Sequence, residues 1–155
     1  MKTFLKTTFA IGLVAVASTS LGAIRANHTL PGYWIFEKDG RLNSTYIPLN
    51  ANGDTTISFS LPGAGKKVLT YSLVCGVQDN LGWMDLDIIV NGVVVEPTVG
   101  TKDAFCAAKE SSYERNSITL VIQGREGVNT VRIAARLSSE AFWMSGSHSA
   151  LVIHD

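Results

Sequence analysis

Val68–Cys106, VLTYSLVCGVQDNLGWMDLDIIVNGVVVEPTVGTKDAFC, decides how this chain folds. It holds the longest apolar runs downstream of the N-terminus, the clearest hairpin turn and both cysteines. Asn91-Gly92 lies between two valine-rich runs. A two-residue type I′ turn needs φ > 0 at both central positions, which Asn and Gly tolerate best. That turn fixes the register, with Val90 opposite Val93, Ile88 opposite Val95 and Leu86 opposite Pro97. These six share one face, which is assigned to the core. The other face carries Asp85, Asp87, Ile89, Val94 and Glu96, with Trp83 where the strand begins. The stretch therefore reads as a long strand, a loop, a tight hairpin and a second loop pinned back to the first strand.

The pin is a disulfide. Cys75 and Cys106 are the only cysteines in 155 residues, and the N-terminus reads as an export signal. Lys2 and Lys6 give a basic start, Phe9–Ala17 an apolar core and Ser18–Ala23 a small-residue exit. Residues 1–23 are thus expected to be a signal peptide, cleaved between 22 and 26, and 24–155 one domain. In an oxidising compartment two cysteines pair by default. The alternatives, a metal site or a reactive thiol, find no second Cys or His at ligand spacing. The expected location is secreted or periplasmic.

Outward from this stretch the pattern is β throughout. Tyr33–Glu37 is aromatic and β-branched. Ser44–Leu49 reads as a short strand, with Pro48 marking an edge or bulge. In Thr55–Leu61, Ile57, Phe59 and Leu61 alternate with Thr56, Ser58 and Ser60, the pattern of a half-buried strand. Ile118, Leu120 and Ile122 share a face in Ser117–Gln123, as do Val131, Ile133, Ala135 and Leu137 in Thr130–Leu137. The short link Gly124–Gly127 predicts that these two strands form an antiparallel hairpin. Ser149–His154 is a last strand. Helical periodicity is missing apart from a single turn suggested near Ala107–Ser111. Eight or nine short strands spaced by Gly, Pro, Asn and Asp predict an all-β fold, an antiparallel β-sandwich or jelly roll with one disulfide. A closed outer-membrane barrel would need lipid-facing apolar bands, where this chain has Thr, Ser, Arg and Asp.

The formal charge is zero, and removing Lys2 and Lys6 takes it to −2. There is no basic excess to neutralise phosphates, so nucleic acid is not an expected partner. The apolar N-terminal core is shorter than the roughly 20 residues a spanning helix needs, so membrane insertion is not expected either. His28, His148 and His154 form no zinc pattern. Ser145-Gly-Ser-His148 lacks the strand–turn–helix setting of a nucleophile elbow and reads as a turn.

The chemically suggestive feature is the outer face of the hairpin: Trp83, Asp85, Asp87 and Glu96. It has three readings. One is a solvated face whose aspartates pair with Arg132, Arg136 or a loop amide. A second is a calcium site at Asp85 and Asp87, with hard oxygen ligands. The third is a glycan-binding face, with Trp83 as platform and the carboxylates accepting hydroxyl hydrogen bonds. Trp143, in the loop-like SSEAFWMSGS, is a further candidate platform.

The pattern Cys75…Trp83-Met-Asp-Leu-Asp-Ile88…Asn91-Gly92…Asp103-Ala-Phe-Cys106…Asn129-Thr-Val-Arg-Ile133 resembles β-rich segments of uncharacterised exported bacterial β-sandwich proteins. The resemblance covers the C-terminal half and implies a sandwich bridged by Cys75–Cys106, with no activity attached. Chaperone–usher pilins share the size and the cysteine pair. This sequence closes on His154-Asp155, without the alternating apolar strand of that family. The functional expectation is a secreted, non-enzymatic β-sandwich binding module for glycan or cell-surface ligands. A self-assembling structural protein is the first alternative, and a hydrolase using surface carboxylates the second.

Overall fold

The computed structural model describes residues 23–38, 44–78, 82–95, 104–107, 113–138, 141 and 143–155. The segment expected to be a signal peptide lies outside them up to residue 22, as do Glu96 and Pro97. The described chain forms ten strands: β1 (Ile24–Glu37), β2 (Ser44–Tyr46), β3 (Ile57–Leu61), β4 (Gly65–Gln78), β5 (Trp83–Val90), β6 (Val93–Val94), β7 (Cys106–Ala107), β8 (Glu114–Gly124), β9 (Gly127–Leu137) and β10 (Trp143–His154). All pairings are antiparallel. One sheet has the order β1-β10-β4-β8. The other has β9 and β5 at its centre, with β2 and β3 along the outer edge of β9 and β6 and β7 along that of β5. The fold is an all-β sandwich.

Alternation along the central strands builds the core. Met84, Leu86, Ile88 and Val90 of β5 face Leu69, Tyr71, Leu73 and Cys75 of β4, with Val131, Ile133, Ala135 and Leu137 of β9 beside them. Each is buried, and burying a Leu or Ile side chain contributes roughly 1.5–3 kcal/mol. The expected half-buried strand holds, with Ile57, Phe59 and Leu61 all buried and Ser58 and Ser60 exposed. Ser44–Leu49 is shorter than expected. The ladder stops at Tyr46, although Ile47 N–H still donates to Ile133 O at 2.9 Å before Pro48 ends the pairing.

The type I′ turn is present, with φ of 52° at Asn91 and 82° at Gly92. Val90 pairs with Val93, and Val95 N–H donates to Ile88 O at 2.8 Å. The face assignment needs one correction. Val93 is 62% exposed, because β6 is a two-residue edge segment at the turn and only Val95 packs against the core.

A larger correction concerns β8 and β9, which do not form a hairpin. β8 pairs with β4 in one sheet, whereas β9 pairs with β2, β3 and β5 in the other. The chain crosses the sandwich between Gly124 and Gly127, as it also does between Leu61 and Gly65. The two corners pack together. A Cβ on Gly124 would stand 2.2 Å from Leu61 Cδ1, so the glycine admits the leucine. Alternation showed which side of each strand faces inward, and an arch between sheets satisfies that pattern as well as a hairpin does.

Asn129 holds this corner. Its side chain is fully buried. Its Oδ1 accepts from Arg125 N–H at 2.9 Å and from Asn91 Nδ2 at 2.9 Å. Its Nδ2 donates to Arg125 O at 2.8 Å and Gly127 O at 3.0 Å. Asn91 in turn accepts from Thr130 N–H at 2.9 Å. One buried amide thus joins the arch to the hairpin turn, leaving few polar groups of the corner unpaired.

At the same end Asp155 is clasped by Arg25 and by Lys67, whose Nζ is 2.7 Å away. The hydrogen bonds from Arg25 and Lys67 hold its carboxyl well below its ordinary 3.8. As pH falls the unfolded chain takes up this proton first, so the contribution is complete above the unfolded pKa and is lost as pH drops through the folded one. Asp155→Asn should flatten the acid side of a thermal-stability profile between about pH 2 and 5. A profile unchanged by the substitution would remove the clasp as a source of stability.

Candidate functional site

Of the residues singled out from the sequence, Trp83 and Trp143 stand at the opposite end of the sandwich, where β4 leads to β5 and β9 leads to β10, and Asp85 and Asp87 follow along β5. The two connections pack together, since a Cβ on Gly82 would stand 2.7 Å from that of Ala141. The Cys75–Cys106 disulfide forms as expected, with Cα atoms 6.3 Å apart. It ties the sheets together here, because Cys75 lies near the end of β4 and Cys106 pairs with Met84 at the start of β5. Asn116 adds a side-chain hydrogen bond to Phe105 O at 2.7 Å.

On the outer face of the β9–β5 sheet, Trp83, Asp85, Asp87 and Ile89 alternate with the four buried residues of β5 and are half-buried themselves. Arg136 lies directly opposite Asp85 and Ala134 opposite Asp87. The guanidinium of Arg136 reaches diagonally, and its Nη2 donates to Asp87 Oδ1 at 3.0 Å. Arg132 lies over the Tyr46 ring, with Cζ 3.4 Å from the centroid, a cation–π contact that flattens both side chains on the sheet. The structure therefore brings Trp83, Asp85 and Asp87 onto one surface and interleaves them with arginines. Among the described residues no group of three His, Cys, Asp or Glu stands close enough to hold a metal. Glu96, the third carboxylate of the expected cluster, lies outside the described residues.

Trp143 is placed elsewhere. It is the first residue of β10 rather than part of a loop, opposite Glu37 on one side and Gln78 on the other. Its neighbour Met144 is fully buried, so Trp143 stands on the outer face of the β1-β10-β4-β8 sheet. That face points away from the one carrying Trp83. The Ser-Gly-Ser-His segment read as a turn is likewise strand. A bulge between Ser147 and Ala150 carries β10 through it, and His148 absorbs the extra residue at φ 49°.

This second face holds a feature the sequence reading missed. The central strands contribute a floor of small residues: Ser145 lies between Ile35 of β1 and Gly76 of β4. Both Ser145 and Gly76 are buried although they face outward. Tyr33 of β1 and Tyr113, just before β8, extend over them from the two edges, 58% and 53% exposed. The Tyr33 and Tyr113 hydroxyls are close enough to interact electrostatically, and Ser145 Oγ is 3.5 Å from the Tyr113 hydroxyl. Partial desolvation first, then the neighbouring Tyr113 hydroxyl, push the Tyr33 pKa above its ordinary value. The signal for half of this site was present. In YWIFE, Tyr33 and Ile35 must face opposite to Trp34 and Phe36. Nothing local paired Tyr33 with Tyr113, which β10 and β4 separate in space.

No protein family and no curated protein matches the chain by sequence. Among solved structures it is similar to a family 35 carbohydrate-binding module from Clostridium thermocellum, at 15% identity and a TM-score of 0.43, covering 83% of this chain and 98% of that one. It is also similar to dimeric latent PorU from Porphyromonas gingivalis, at 12% identity and a TM-score of 0.44, covering 90% of this chain and 14% of PorU.

Proposed function

We propose that the protein is an exported, non-enzymatic binding module that takes a glycan on the outer face of the β9–β5 sheet. The observation that supports this reading is the shared placement of Trp83, Asp85 and Asp87 on one strand face, with Arg136 holding the Asp87 carboxylate. An indole offers a rigid apolar surface with a polar edge. Carboxylates accept hydroxyl hydrogen bonds in the stronger, charge-assisted form. Side chains set on paired strands are better fixed than side chains on loops, which lowers the ordering cost of binding. The disulfide fits an oxidising, extracytoplasmic location.

Hydrolysis of a glycoside uses two carboxyl groups flanking the scissile bond. On this face the Asp87 carboxylate is engaged by a guanidinium and the surroundings are an open sheet, which favours binding over chemistry. A glycan array with wild-type protein, repeated with Trp83→Ala and Asp85→Ala, tests the reading. Wild type should give discrete hits, and each variant should weaken them by about tenfold or more. Calcium added during the same titration reports whether Asp85 and Asp87 act through a cation. A wild-type protein that binds no glycan would sink the proposal.

Self-assembly is the second reading. It is favoured by β8, an eleven-residue strand that among the described residues pairs on one side only, with β4. Such an edge can template pairing with another chain. A monodisperse monomer by light scattering at high concentration would argue against it.

A further inference from the structure

The strongest unassigned feature is the face opposite to the one just discussed. Four observations meet there. Tyr33 and Tyr113 are more than half exposed, although each is large enough to be a core residue and neither is packed into the core. Beneath them the sheet carries Gly76 and Ser145, a trough of small residues that is itself buried under what covers it. Ser145 is a fully buried hydroxyl in that trough, directed toward the Tyr113 oxygen at 3.5 Å, the outer limit of a hydrogen bond. His148 adopts a left-handed backbone at φ 49° in the same strand, a conformation that His, like Asn and Asp, enters more readily than other non-glycine residues. Its Nδ1 lies 3.0 Å from Ser147 Oγ.

We infer that Tyr33, Tyr113 and Ser145 form a second binding site, for a neutral saccharide, across the outer face of the β1-β10-β4-β8 sheet. The choice of ligand follows from the lining. The groups over and in the trough are two phenol rings, their hydroxyls and the serine hydroxyl, so they offer stacking surface and both donors and acceptors without net charge. A sugar ring has the complementary form, with an apolar face and a rim of hydroxyls. Among the described residues the one guanidinium on this stretch of the face, Arg115, lies in register with Tyr33 through Ser147 and Val74 and is offset by Glu37 beside Trp143. A purely apolar ligand would leave the buried Ser145 hydroxyl unmatched, which is costly. In the free protein the Tyr33 and Tyr113 side chains approach each other over the trough. A saccharide replaces that contact with its own hydroxyls, so the tyrosines part over the ligand while Ser145 keeps a partner. Trp143, on the same face and nearer its end, extends the stacking surface to a further sugar unit.

The inference shares with the proposed function the idea of a glycan-binding module but places the ligand on a different sheet, so the two fail separately. Calorimetry with cellohexaose, xylohexaose and chitohexaose is run on the whole exported protein and on Tyr33→Ala, Tyr113→Ala, Tyr33→Phe and Trp83→Ala. Both tyrosines are exposed, so these variants should keep the wild-type circular dichroism. The alanine variants should weaken the best hexasaccharide by about tenfold or more, and Tyr33→Phe, which keeps the ring, by about threefold. Weakening by the tyrosine variants, with or without weakening by Trp83→Ala, supports the second site. Weakening by Trp83→Ala alone overturns it and leaves the first proposal standing. No binding of any hexasaccharide, or a dimer that Tyr113→Ala converts to monomer without any saccharide response, also overturns it.

Discussion

Asn129→Ala should lower stability by about 3 kcal/mol, the largest effect expected from any single polar substitution. The side chain is fully buried and makes four hydrogen bonds, three to the backbone of the Arg125–Gly127 corner and one to Asn91. Removing it takes the protein partner from one donor and two carbonyls of the exposed Arg125–Gly127 turn and leaves a void where the buried amide stood. The four lost hydrogen bonds and the emptied space carry the cost. On a domain of this size that is a fall in melting temperature of roughly 10 °C. Asn129→Asp should be no better, since it keeps the acceptor, loses the donors and buries a charge. Asn91→Gly, which preserves the turn conformation, isolates the link between the two corners. A double-mutant cycle with Asn129→Ala should show coupling of about 1 kcal/mol. Additive effects would mean that the arch and the hairpin turn are stabilised independently.

Replacing both cysteines by alanine should cost about 3–4 kcal/mol on the chain-entropy account, because the bridge closes a loop with a sequence separation of 31. The expectation is specific to the double variant. A single substitution leaves a buried thiol and adds the risk of mispairing. The consequence should extend to both candidate sites, since Cys75 immediately precedes Gly76 in the trough floor and Cys106 pairs with Met84 beside Trp83. Denaturant unfolding with and without reductant reads the stability. Saccharide affinity of the double variant, measured well below its melting point, reads the sites. A reduced protein as stable as the oxidised one would show that the bridge is incidental to the fold.

Much of the fold was legible because it is written in local pattern. Strict alternation in β5 placed Leu86, Ile88 and Val90 on the buried face and Trp83, Asp85, Asp87 and Ile89 on the other, as the structure has them. Asn91-Gly92 specified a turn that only positive φ allows, and two cysteines behind an expected export signal pointed to their pairing. What was not legible depends on which strands meet. Alternation in β8 and β9 was read correctly, yet it carries no information about sheet membership, so an arch was taken for a hairpin. Val93 fitted the core pattern, but the end of the hairpin has no second sheet over it. Trp143 was placed in a loop because Ser-Gly-Ser looks like a turn, and a bulge centred on His148 lets the strand run through those residues. The Tyr33–Tyr113 trough was the least visible, because its two rings approach from opposite edges of a sheet whose order follows only from long-range pairing.

The central claim is that the exterior sheet faces at the disulfide end bind saccharide. It is tested most directly by following backbone amide resonances of the intact protein during titration with the hexasaccharide that calorimetry ranks first. The account predicts shifts that saturate together and map to Tyr33–Ile35, Tyr113–Arg115 and Trp143–Ser147, to Trp83–Asp87, or to both groups. Shifts confined to the other end, around Pro62–Ala64, Asn91-Gly92 and Arg125–Gly127, would contradict it, as would a spectrum that saccharide leaves unchanged.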